Sequence, residues 1–248
     1  MKTLGFTFDE KILAKMSLEA FFYDLPPFDA IELAPDEKLL DLKTYKKIVD
    51  RVTEHHFHVP YFVTPGKYDF SCEHYKSDYT KFFSIIESLR QYSVKTPSII
   101  VHGCQFVSDK NKAIEKTRQG LDLLLNFIEQ KRLDFNLHLE TQQKHFPISN
   151  RQDILKIVND FDHPRLSICL DMSHDCKNYQ TAPHEQFLEK VRYVHLHHEH
   201  DSFQHIPLTY MNDIDLECHH NIELLMSHCD TYRQTLISDI QAFNRVWK

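Results

Sequence analysis

Acidic and imidazole side chains recur at one kind of position in this chain: within short apolar runs, beside aliphatic neighbours of opposite parity. Ile31 and Leu33 flank Glu32, and Leu137 and Leu139 alternate with His138 and Glu140. Ile168 and Leu170 precede Asp171, Val194 and Leu196 flank His195, and Ile222 and Leu224 flank Glu223. Successive side chains on a strand face opposite ways. The aliphatic set therefore takes one face, and Glu32, Glu140, Asp171, His195 and Glu223 share the other. Carboxylates converging on one interior need a counter-charge, because buried charges are paired, metal-bound or neutralised. Few Lys or Arg residues stand at these strand ends, so a divalent cation is the simplest partner. Carboxylates mixed with imidazoles suit Zn²⁺, Mn²⁺ or Fe²⁺ better than Ca²⁺. A single inward His or Glu is more often a hydrogen-bonded core group than a ligand. Recurrence over five strands is what favours ligation here.

The elements that must carry these residues are legible as alternating periods. Strands are expected at Thr3–Phe8, Ala30–Ala34, His58–Thr64, Ser98–His102, Phe135–Glu140, Leu166–Asp171, Arg192–His197 and Asn221–Met226. Apolar residues near i, i+3, i+4 and i+7 predict helices over Lys43–Glu54, Tyr79–Gln91, Ala113–Gln130, Arg151–Asn159 and Thr231–Val246. Eight strands alternating with helices in 248 residues predict an α/β protein, one (β/α)₈ TIM barrel domain spanning 1–248. The connection after the seventh strand, Glu199 to His220, has no helical period. In a barrel it lies on the C-terminal face, where active sites form.

Composition narrows the function classes. Four glycines, too far apart for a G-x-G-x-x-G turn or a phosphate-binding loop, argue against a nucleotide cofactor. A net charge of −7 with no basic block disfavours nucleic acid as a partner, although a bound metal cluster would add local positive charge. A mean hydropathy of −0.46 and the lack of a long apolar run point away from membranes. The start, MKTLGFTFDE, has no secretory apolar core, so the cytoplasm is the expected location. The six cysteines form no C-x-x-C pair and are expected as reduced thiols. Of the 18 histidines, His55, His56, His163, His184, His219, His220 and His228 read as surface or structural residues in helices or loops.

The strand ends resemble the xylose-isomerase-like TIM barrel superfamily, which includes sugar phosphate isomerases and epimerases and the endonuclease IV type of abasic-site nuclease (AP endonuclease family 2). The segment LDMSH is similar to the family's Asp-x-x-His strand end, with Asp171 and His174. HLHHEHDSFQHIPL is similar to its His-Leu-x-Asp segment and the His-x-Pro-Leu loop beyond, and the Glu-Leu-Leu at Glu223 to its last metal strand. The resemblance implies metal ligation by Glu140, Asp171, His195 and Glu223. The endonuclease IV pattern adds His58, in His-Val-Pro-Tyr, with His102, His174 and His205 as additional ligands. In that pattern an Asp precedes the last His by two residues; here Phe203 stands there, and Asp201 is out of register. His197 shares the parity of His195, but motif position favours His195.

Three functions follow from these residues. The first is a divalent-metal-dependent isomerase or epimerase of a small sugar or sugar phosphate, with Glu140 and Glu223 as paired acid/base groups and His174 and Glu32 binding substrate. The loop after His195 lacks the Arg that ketose epimerases of the family place there. The second is a multinuclear-zinc phosphodiester hydrolase using the extra histidines. The third is a barrel that binds without catalysis.

Overall fold

The computed structural model describes residues 2–8, 10–36, 41–60, 66–179, 181–196, 216–223 and 232–247. Eight parallel strands pair in chain order and close on themselves: β1 (Thr3–Thr7), β2 (Ala30–Leu33), β3 (Glu54–His58), β4 (Ser98–Val101), β5 (Asn136–Glu140), β6 (Leu166–Asp171), β7 (Val191–His195) and β8 (His219–Ile222). The closing ladder sets Thr3 beside His219 and Phe6 beside Ile222. Between the strands run a 3₁₀ turn (Glu10–Ala14), α1 (Leu18–Phe22), α2 (Leu42–Val49), α3 (Tyr75–Arg90), α4 (Lys110–Gln130), α5 (Arg151–Phe161), α6 (Met172–Asn178) and α7 (Glu185–Leu188). α8 (Tyr232–Trp247) follows β8. The (β/α)₈ barrel expected from the alternating periods is the fold observed.

Local chemistry sets the helix starts. The side chains of Asp41, Asp109 and Asn150 accept hydrogen bonds from the first-turn N–H groups of Thr44, Lys112 and Gln152, satisfying donors a helix leaves without a partner. α4 also depends on a missing side chain. A methyl group on Gly120 would overlap the buried ring of Phe70. Gly120→Ala should therefore lower stability by about 1–3 kcal/mol through overpacking. A thermal melt would show this as a fall of roughly 2–12 °C for a domain of this size.

Aliphatic faces of the strands, such as Leu33, Leu137, Leu139, Ile168 and Val194, pack outward into one core beneath the helices. Inside the barrel, among the described residues, only Ile100, Cys169 and Tyr193 form an apolar cluster. Branched aliphatics usually fill this space; here the lower half is filled by hydrogen-bonded histidines. His138 sits between the hydroxyls of Ser167, 2.6 Å away, and Ser98, 2.8 Å away. His56 Nδ1 accepts from the Ser98 amide at 3.1 Å, and His219 Nδ1 lies 2.8 Å from the Thr3 hydroxyl. Their three rings surround Tyr193 at centroid distances of 5.3, 5.5 and 4.7 Å. Burial pushes the pKa of His56 and of His138 down to about 3, so both are neutral. No helix among the described residues is long and apolar enough to cross a membrane.

Several sequence expectations are corrected. The third strand is Glu54–His58, not His58–Thr64, and α2 stops at Val49 instead of reaching Glu54. Pro60, which has no N–H for a ladder, lies just past the strand end, and residues 61–65 are outside the described set. The last strand starts two residues early, at His219. His55, His56, His219 and His220 are thus buried strand residues and not members of loops or helices. They were hard to recognise because imidazoles stand where an aliphatic alternation would mark a strand.

Candidate metal centre

Strand parity and register bring the acidic and imidazole residues to one level of the barrel. Asp171 pairs in register with His195, and His195 with Asn221, two residues before Glu223. Glu140, Asp171, His195 and Glu223 offer one ligand atom each, all within 4.8 Å of one another. Each of the four is almost completely buried. His58, His102 and Glu140 form a further such group, which shares Glu140 with the first; His58, His195 and Glu223 converge in the same way, as do Glu140, Cys169 and His195.

The contacts around Glu140 explain this sharing. Its Oε1 lies 2.8 Å from His195 Nδ1. Its Oε2 lies 2.6 Å from His102 Nε2 and 3.1 Å from His58 Nε2. His58 donates from Nδ1 to the Val59 carbonyl at 2.7 Å, which aims Nε2 at Glu140. Metal-bound histidines are commonly oriented by such a bond from the other ring nitrogen. At His102 the direction is reversed: the Gln105 side-chain amide donates to Nδ1 at 3.2 Å, which leaves the ring proton on the Nε2 that faces Glu140.

Glu32 lies beneath the ligand set and not at its mouth. It is fully buried, with Oε1 accepting from the Thr7 hydroxyl at 2.9 Å. Its Oε2 meets Tyr193 Oη and His195 Nε2, both at 2.9 Å. The Thr7 hydroxyl accepts in turn from Asn221 at 2.8 Å. The expected substrate contact for Glu32 is therefore replaced by a contact that orients His195. Tyr193, Thr7 and Asn221 were missed in the sequence, although each lies two residues from, or in register with, a residue that was singled out.

Electrostatics show what the site lacks. Burial pushes Glu32 up, but the His195 charge and hydrogen bond outweigh it and bring the carboxyl down to about 2. Burial is likewise overcome at Glu140 by His195 and His102, which hold it well below the usual carboxylate range. Burial opposes protonation of His58, yet the hydrogen bond and charge of Glu140 raise it to about 9. Burial wins at His102, whose pKa falls. Protonated imidazoles thus supply the cationic charge around these carboxylates. One carboxylate oxygen, Asp171 Oδ2, is buried without a hydrogen-bond partner among the described residues, while Oδ1 caps α6 at the His174 amide. An orphaned buried carboxylate oxygen within a ring of N and O donors fits a divalent cation. His174 Nε2 lies 3.6 Å from Asp171 Oδ2, at the edge of the set. His205, His197, Asp201, Phe203, Tyr61 and His228 fall outside the described residues.

Comparison with known proteins agrees with this architecture. A family model described as a xylose isomerase-like TIM barrel matches residues 26–221. No curated protein sequence matches. Among solved structures, the chain is similar to a D-allulose 3-epimerase from Methylomonas sp., solved with D-allulose, at a TM-score of 0.72 and 11% identity over 99% of this chain and 97% of the other. It is similar to a 3-keto-D-glucoside 4-epimerase from E. coli, TM-score 0.65 and 12% identity over 99% of this chain and 100% of the other. A probable 3-DHS dehydratase from Bacillus anthracis gives 0.66 and 13% over 98% and 99%. At such identities the solved structures establish the fold and nothing finer. The family match covers most of the chain, and the protein belongs to the xylose isomerase-like TIM barrel family.

Proposed function

We propose that the chain is a cytoplasmic, divalent-metal-dependent isomerase or epimerase of a small sugar or sugar phosphate, working as a single barrel domain. The observation that carries this reading is the placement of two glutamates, Glu140 on β5 and Glu223 after β8, around one ligand group from well-separated strands. Sugar epimerases among the structures of the same fold support it. Glu140, Asp171, His195 and Glu223 would hold the cation, Zn²⁺, Mn²⁺ or Fe²⁺ by donor type. When bound, it supplies Lewis-acid polarisation of substrate oxygens and offsets the negative charge that develops on them. One of Glu140 and Glu223 takes the proton from the carbon beside the carbonyl, and a proton returns from the other. His174, half-buried at the edge of the set, is the residue assigned to bind substrate hydroxyls.

The test is solvent-deuterium exchange into a panel of ketoses by metal-loaded protein. Exchange at a single carbon with appearance of an epimer or aldose supports the reading, and inert substrates across the panel refute it. Glu32 gives a second prediction. As the residue orienting His195, its replacement in Glu32→Gln should weaken metal affinity about 10–100-fold. A change in KM alone, with metal affinity intact, would restore a direct substrate role.

A second reading has one observation in its favour. The His58–His102–Glu140 group could hold another cation beside the first, as a phosphodiester hydrolase requires. Nicking of DNA containing an abasic site, with two or more ions per chain, would favour the hydrolase over the isomerase.

A further inference from the structure

Beside the metal centre, on the His102 side, lies a cavity of about 260 Å³. Its lining includes Val59, Tyr68, Phe106 and Phe146. It adjoins the site directly, since His102 lines it while also touching Glu140, and Val59 both lines it and holds His58 through its carbonyl. Small-molecule sites usually measure about 300–1,000 Å³, so this cavity suits one ring-sized part of a substrate whose reacting carbons lie at the carboxylates.

Charge decides what that part is. Among the described residues Lys67 is the only Lys or Arg in the lining, and its Nζ is 2.7 Å from Asp36, a fully buried carboxylate. The lining also contains a carboxylate, Asp69, engaged with the Gln105 amide at 2.6 Å. Among the described residues the cavity therefore offers no uncompensated positive charge, whereas phosphate recognition rests on Arg, Lys or converging amides. It does offer aromatic surface: Phe106 is 59% exposed, unusual for a side chain of its size, and Phe146 shares the lining. We propose that this cavity is a subsite for an apolar, aryl-type substituent, so that the part of a sugar substrate held here is uncharged and not a phosphate. This rests on the sugar reading of the adjoining centre.

Calorimetric titration of the metal-loaded protein with phenyl glucoside and with glucose 6-phosphate tests the idea. The aryl glycoside should bind at least about tenfold more tightly. Phe106→Ala should weaken the aryl glycoside about tenfold, as expected for lost burial of an aromatic face, with metal content as in the parent protein. Phe106 is exposed, so its truncation leaves the folded core intact. Tighter binding of the phosphate ester, or an aryl affinity indifferent to Phe106→Ala, would overturn the proposal. The two readings fail separately. Aryl binding that depends on Phe106, without deuterium exchange into any ketose, removes the isomerase and keeps the subsite. Exchange into ketoses without preferred aryl binding does the reverse.

Discussion

Replacing Glu140 with Gln should abolish measurable turnover and empty the centre of metal at once. Glu140 belongs to three of the four ligand groups among the described residues, and its two oxygens face three imidazoles. The amide keeps the shape but removes the charge, and its nitrogen cannot ligate. Loss of a general acid/base group alone reduces rates by about 10²–10⁴-fold; the loss of a ligand adds to that. The protein should still fold, because Gln can hydrogen-bond to the same ring nitrogens once they lose their protons. Deuterium exchange and metal analysis on the same preparation check this. A variant retaining full metal and only a slower rate would make Glu140 an acid/base group without a ligand role.

Removing metal with a chelator should leave a folded but pH-sensitive barrel, and reloading should become tighter as pH rises. His58 has a folded-state pKa of about 9, above its ordinary value of 6.5, and His195 is also raised. Groups raised on folding stabilise fully below the unfolded pKa, and the contribution disappears as pH climbs through the folded one. The metal-free protein should therefore lose stability from about pH 6.5 to pH 9. Glu32 works oppositely: lowered to about 2, it stabilises above about 4.5 and loses that contribution as pH falls toward 2. Metal bound by His195 must displace a ring proton, so its binding should release protons and strengthen as pH rises above about 6.5. Thermal melts with and without chelator, and titrations at several pH values, measure both. Metal affinity that is flat between pH 6.5 and 9 would mean His195 does not exchange a proton for the ion.

The barrel was legible because its aliphatic half obeys simple periods. Leu137, Leu139, Ile168, Leu170 and Val194 alternate, and they form the outer core under the helices. The same alternation placed Glu140, Asp171, His195 and Glu223 on the inner face, where the structure brings them together. What the sequence concealed lies where imidazole replaces aliphatic side chains. His55 and His56 open a strand, as do His219 and His220, yet nothing in local pattern distinguishes EHHFH from an exposed turn. Their burial depends on long-range partners, Ser98 for His56 and Thr3 for His219. Glu32 was legible as an inward residue but not as the support of His195, since that contact joins residues 163 positions apart.

The central claim is that Glu140, Asp171, His195 and Glu223 hold a divalent cation. Elemental analysis of the purified protein, alongside Asp171→Asn, tests it most directly. Asp171→Asn removes the charge of the orphaned carboxylate while leaving an oxygen to cap α6. The expected result is about one ion or more per chain in the parent protein and a large loss in the variant. Metal-free parent protein that takes up no added Zn²⁺, Mn²⁺ or Fe²⁺, with thermal stability unchanged by chelator, would contradict it and leave a barrel that binds without metal chemistry.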